Sequence, residues 1–79
     1  MKTELDLEIE SATEYLISVY CDDRPPVIIW RDMRREKPWD DIAEHIVGDP
    51  TGDDQKIVQY YLVAQQLERK LKAKVLGIY

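Results

Sequence analysis

Proline and glycine divide this chain before any other feature does. Arg24-Pro25-Pro26, Lys37-Pro38 and Gly48-Asp49-Pro50-Thr51-Gly52 punctuate its 79 residues at three places. A proline removes a backbone donor and pushes the residue before it out of the helical region. Four segments result. A chain of this size buries only about 60% of the surface it exposes when unfolded, so the four segments must share one core in a single domain spanning 1–79.

Each segment carries a periodic apolar pattern. Leu5, Ile9, Ala12, Leu16 and Val19 recur at spacings of four and three, which predicts a helix over 4–21. Its start admits another reading. Leu5, Leu7 and Ile9 alternate with Glu4, Asp6, Glu8 and Glu10, the period of a half-buried strand, and Ser11-Ala12-Thr13-Glu14 has the form of a capping box that starts a helix afresh. A short strand over 3–10 is therefore the alternative there.

Pro26 suits a first helical position, and Val27 to Glu36 reads as a short helix with Val27, Ile28, Trp30 and Met33 available for burial, although VIIW taken alone also suits a strand. A third helix follows Pro38, with Trp39, Ile42, Ala43, Ile46 and Val47 at helical spacing and Asp40 and Asp41 in the first turn, where acids complement the helix dipole. Thr51, three residues before Asp54, is the candidate cap of a last helix running from Asp53 to about Lys74. Its stripe is Ile57, Tyr60, Ala64, Leu67 and Leu71, widened by Val58, Tyr61 and Leu62. The apolar tail Val75 to Tyr79 admits fraying, docking in a groove or an added strand. The expected fold is mostly α, a compact bundle of about four helices.

Composition fits a folded protein, with 44% apolar and 34% charged residues and a net charge of −5. The acid is not spread evenly. Residues 1–23 hold seven acids against Lys2 alone, residues 24–50 are nearly balanced, and residues 51–79 carry a net +2. The two ends either pack side by side and neutralise one another or present a polar binding surface.

Catalytic chemistry finds little support. Ser11, Ser18, Cys21 and His45 stand in no recognisable nucleophile motif, and three glycines form no phosphate-cradling loop. Asp49, Asp53 and Asp54 lack the spacing and terminal glutamate of a calcium loop. Cys21, the only cysteine, excludes an internal disulfide, a zinc set and a CxxC pair, and is expected to be a small buried hydrophobe. A reducing, cytoplasmic setting is expected. MKTELDLEIE lacks the basic start and apolar run of a signal peptide, and no stretch reaches the roughly 18 apolar residues of a membrane span. The expectation is a protein that is not an enzyme and uses no metal, cofactor or small-molecule substrate.

Two groups of residues could bind a macromolecule. Arg31, Arg34, Arg35 and Lys37, flanked by Trp30 and Trp39, could meet phosphates or an acidic protein, unless Asp32, Glu36, Asp40 and Asp41 neutralise them. Glu4, Asp6, Glu8, Glu10 and Glu14 could meet a basic protein. Tyr60 and Tyr61 point about 100° apart on a helix, which leaves one of them, Tyr61, as a candidate aromatic anchor.

The segments IIWRDM, KPWDDIAEHI and VAQQLERKL follow one another between Val27 and Leu71. In that order the stretch resembles the helix-turn-helix of sigma-factor region four and of related small phage transcriptional regulators. The resemblance covers a little over half the chain and rests on helix-packing residues. It implies a regulator acting on DNA or a transcription complex, with Arg31, Arg34, Arg35, Lys37 and Lys56 on phosphates and Gln55 and Gln59 reaching base edges. The turn VGDPTGDD is longer and more acidic than that of the family, and Asp53 and Asp54 fall where phosphates would lie.

The alternative function is an acidic inhibitor or adaptor of the kind phages and mobile elements encode. Its acids at positions 4, 6, 8, 10 and 14 would imitate nucleic-acid phosphates against a basic nucleic-acid-binding protein, as anti-defence proteins do. The Ile57 to Leu71 seam leaves homodimerisation open under either reading, the alternative being that the Leu5 to Val19 stripe covers it within the chain.

Overall fold

A computed structural model describes residues 3–77. Four helices follow one another: α1 (Glu4–Tyr20), α2 (Pro26–Glu36), α3 (Pro38–Val47) and α4 (Asp54–Leu76). No strand forms among the described residues.

The start of α1 is fixed by a cap that lies ahead of the alternating acids. Thr3 Oγ1 accepts the Asp6 N–H and Asp6 Oδ2 accepts the Thr3 N–H, both at 3.2 Å, closing a capping box. With two orphan amides satisfied there, the helix runs through Ser11 without a second start. The strand alternative for 3–10 is not realised. The inward stripe is Ile9, Thr13 and Leu16, with Ala12, Ile17 and Tyr20 half-buried beside it. Thr13 enters the core because its hydroxyl donates to the Ile9 carbonyl at 2.7 Å. Leu5 and Val19, expected inside, are 43% and 58% exposed: Leu5 stands in the first turn of α1, and Val19 falls off the inward stripe that Tyr20 continues.

A clamp on Arg24 makes the α1–α2 corner. Its guanidinium donates to Asp22, to Asp32 at 2.6 Å and to the Tyr20 carbonyl, so one side chain ties the end of α1 to the second turn of α2. Helix α2 buries Ile29, Trp30 and Met33 and turns Val27 outward, 70% exposed. Its first turn thus differs from the expected pattern, in which Val27 and not Ile29 was inward.

Lys37 alone separates α2 from α3. At φ 50°, ψ 56° it is left-handed, donates its N–H to the Met33 carbonyl at 2.7 Å, and is followed by Pro38 as the first residue of α3. The sharp reversal lays Trp30 on Trp39, ring centroids 5.7 Å apart and planes 28° from parallel. Trp39 and Ala43 are buried; Ile42, Ile46 and Val47 are half-buried.

Asp53, not Thr51, caps α4. Its Oδ1 accepts the N–H groups of Gln55 and Lys56 at 3.0 and 3.2 Å, while the Thr51 N–H is turned toward Asp49. At 1.5 Å per residue α4 is about 34 Å long, and it packs on all three other helices. Val63, Ala64, Leu67 and Leu71 are buried there. The seam proposed for a homodimer is thus largely covered within the chain. Val75 and Leu76 finish α4 and pack on the core; Ile78 and Tyr79, the rest of the apolar tail, lie outside the described residues. No helix among the described residues is long and apolar enough to cross a membrane.

Candidate binding site

The acids of α1 divide into two groups. Glu10 and Glu14 line a cleft with Thr13, Lys70 and Lys74, so the acidic front and the basic end of the chain do meet along the middle of α1. Glu4, Asp6 and Glu8 stand exposed at its first half and take part in no ion pair among the described residues.

Two neighbouring concavities lie around that first half. One is an open trough between α1 and α3. It is lined by Glu4, Leu7, Glu8, Ser11 and Ala12 from α1 and by Ile42, His45 and Ile46 from α3. The second runs between the start of α1 and α4, where Leu5 meets Val47, Leu62 and Val63, with Gln59 and Gln66 beside them. Ile46 belongs to both. The apolar surface is therefore continuous across it, and it keeps Leu5, Leu7 and Leu62 about half exposed, at 43%, 52% and 51%.

Leu7 sits two residues from Ile9, and two helical steps of about 100° turn it nearly opposite the core. Nothing in the packing of α1 requires a leucine at that position. Sequence periodicity missed Leu7, Ile46 and Leu62 as surface residues. The available signal was that Leu7 fits only the strand alternation, so once α1 is a helix it must face out.

Tyr61 is exposed, as expected of an anchor, but on another side. It lines a depression with Trp39, Asp40, Ala64, Gln65 and Glu68, and its ring meets Tyr60 edge-on at 5.4 Å. It is not beside the acids of α1. Burial, followed by the charges of Asp40 and Glu44, raises the Tyr60 phenol above its ordinary value.

The residues expected to contact nucleic acid are all exposed but do not converge. Arg34 lines a cleft with Trp30, Glu68, Arg69 and Lys72, at the far half of α4. Lys56 and Arg69 stand thirteen residue steps apart, about 20 Å along the helix axis. Arg35 is paired with Asp32 at 3.3 Å, and Lys37 occupies the α2–α3 hinge. Gln55, Lys56 and Gln59 lie on the first turns of α4, where every residue from 51 to 59 is exposed. Asp49, Asp53 and Asp54 surround them with acid, and hydrogen bonds from Thr51 hold the Asp49 carboxyl below its ordinary value.

Among the described residues no group of three His, Cys, Asp or Glu side chains is placed to hold a metal ion. Ser11 and His45 share the trough without a hydrogen bond between them, and Ser18 donates to the Tyr15 carbonyl at 2.6 Å. Cys21 is exposed at the end of α1, contrary to the expected burial, because the chain leaves the bundle there to make the Arg24 corner. No family model, curated protein or solved structure matches this chain.

Proposed function

We propose that this chain is a small, non-enzymatic adaptor or inhibitor that docks on a basic segment of another protein. One observation carries the reading. The first half of α1 presents Glu4, Asp6 and Glu8 with Leu5 and Leu7 between them, while the chain's own Lys70 and Lys74 line a separate cleft with Glu10 and Glu14. Acids alone would suit any soluble surface. Acids interleaved with half-exposed leucines combine electrostatic steering with apolar area, the two contributions a protein interface uses.

The test is capture from host lysate at near-physiological salt. Wild type and a Glu4→Lys, Glu8→Lys double variant are compared, with circular dichroism verifying that both are folded. A stoichiometric basic partner retained by wild type and lost by the variant supports the reading. Equal retention by both sinks it.

A second reading has its own observation in favour. The first turns of α4 project with Gln55, Lys56 and Gln59 exposed, as the recognition helix of a helix-turn-helix regulator does, and α2, α3 and α4 follow the order of that motif. Asp53 and Asp54 weaken it, since duplex affinity rests mainly on neutralising phosphates. Micromolar binding to mixed-sequence duplex at low salt, lost in Lys56→Glu, is the outcome that favours it.

A further inference from the structure

We infer that the trough between α1 and α3 receives a basic amphipathic helix of the partner protein, its apolar side chains on Leu7, Ala12, Ile42 and Ile46 and its lysines or arginines against Glu4 and Glu8. The inference rests on the reading of the chain as a binder of basic protein, and adds the form of the segment bound.

Size, polarity and charge each point to that occupant. From Glu4 to Ala12 the trough follows eight residue steps of α1, about 12 Å, or a little over two helical turns. That length accepts apolar residues at i, i+3 or i+4, and i+7 of a helix laid along it. Ile46 continues the floor toward Leu5, Val47 and Leu62, so a longer segment finds further apolar contact. Among the described residues the charged side chains lining the two concavities are Glu4 and Glu8, and His45 is the sole basic type there. An acidic helix would meet like charge at both glutamates.

A second copy of this chain is disfavoured for the same reason. A two-fold contact through the trough would set the glutamates of the two copies against each other. Among the described residues no lysine or arginine lines the site, and Lys70 and Lys74 line the other side of α1.

Three labelled synthetic peptides test this against the full chain by fluorescence anisotropy. The first is a basic helix with leucines at i, i+3, i+4 and i+7; the second has the same composition scrambled to remove the stripe; the third replaces every lysine of the first with glutamate. The first is expected to bind at least tenfold more tightly than the second, and the third not at all. Leu7→Ser and Glu8→Lys should each weaken the first peptide about tenfold, while Val27→Ser, on α2, leaves it unchanged.

Equal binding of the striped and scrambled peptides would overturn the groove and leave the proposed function standing. Absence of binding by either basic peptide would overturn both, as would equal binding of the acidic peptide. A concentration-dependent dimer in sedimentation, abolished by Leu7→Ser, would assign the trough to a second copy and overturn the inference alone.

Discussion

Leu67 and Leu62 share a helix and differ by five positions, yet they should respond very unequally to truncation. Leu67 is fully buried in the core at 0% exposure, whereas Leu62 is 51% exposed on the rim of the candidate surface. Leu67→Ala removes a buried side chain and leaves a cavity, a change that costs about 2–5 kcal/mol. Global stability at about 0.05–0.15 kcal/mol per residue gives roughly 4–12 kcal/mol for a domain of this length. The substitution therefore removes a large share of the total.

Full burial of a leucine contributes about 1.5–3 kcal/mol, so a half-exposed one accounts for about 1 kcal/mol, partly offset by the better helix propensity of alanine. The difference between the two variants should be about 1–4 kcal/mol. Urea unfolding followed by circular dichroism, fitted with a common m-value, measures it directly. Equal losses, or a greater loss at Leu62, would refute the placement of α4 as the central helix and of Leu62 as a surface residue.

Three further outcomes follow from local geometry. Lys37→Gly should stabilise by about 0.5–1 kcal/mol, because a left-handed non-glycine residue costs about 1–2 kcal/mol and glycine returns part of that in unfolded-state entropy; Lys37→Ala, read in the same urea titration, should show no gain. Asp53→Ala should destabilise by about 0.5–2 kcal/mol through loss of the α4 cap, and Thr51→Ala should be near neutral, with thermal melts separating the two. The Tyr20 phenol is pushed up to about 12 by burial first, then by its hydrogen bond to Glu36 and the charges of Glu36 and Asp32. Since an unfolded tyrosine titrates near 10, the stability tied to the neutral phenol is complete below pH 10 and lost as pH rises through 12. Tyr20→Phe should flatten that part of the alkaline limb, and an unchanged pH profile would count against it.

The four-helix plan was legible because prolines and a dense turn fixed the boundaries, and each segment carried its own 3.6-residue period. What periodicity could not give was the rotation of each helix. Thr13 entered the core in place of a nominal apolar position because a helix interior can satisfy its hydroxyl, which a hydropathy pattern counts as polar. Val63 was missed for the opposite reason: the 57-60-64-67-71 stripe left it at the edge, where contact with three helices rather than one buried it. Thr51 and Asp53 offered equivalent capping chemistry, and only the path of the Gly48–Gly52 loop selected between them. The acidic front of α1 was visible in composition, but its division depended on which residues α4 brought alongside. Glu10 and Glu14 fell beside Lys70 and Lys74; Glu4 and Glu8 fell beside a trough.

The most direct test of the binding mode is a pair of titrations on one isotopically labelled sample, followed by amide chemical shifts. The striped basic peptide is added in one and mixed-sequence duplex DNA in the other. The expected result is movement at Glu4, Leu7, Glu8 and Ile46 with the peptide and no movement with the duplex. Shifts at Gln55, Lys56 and Gln59 on adding duplex, with the α1–α3 trough silent to the peptide, would contradict it.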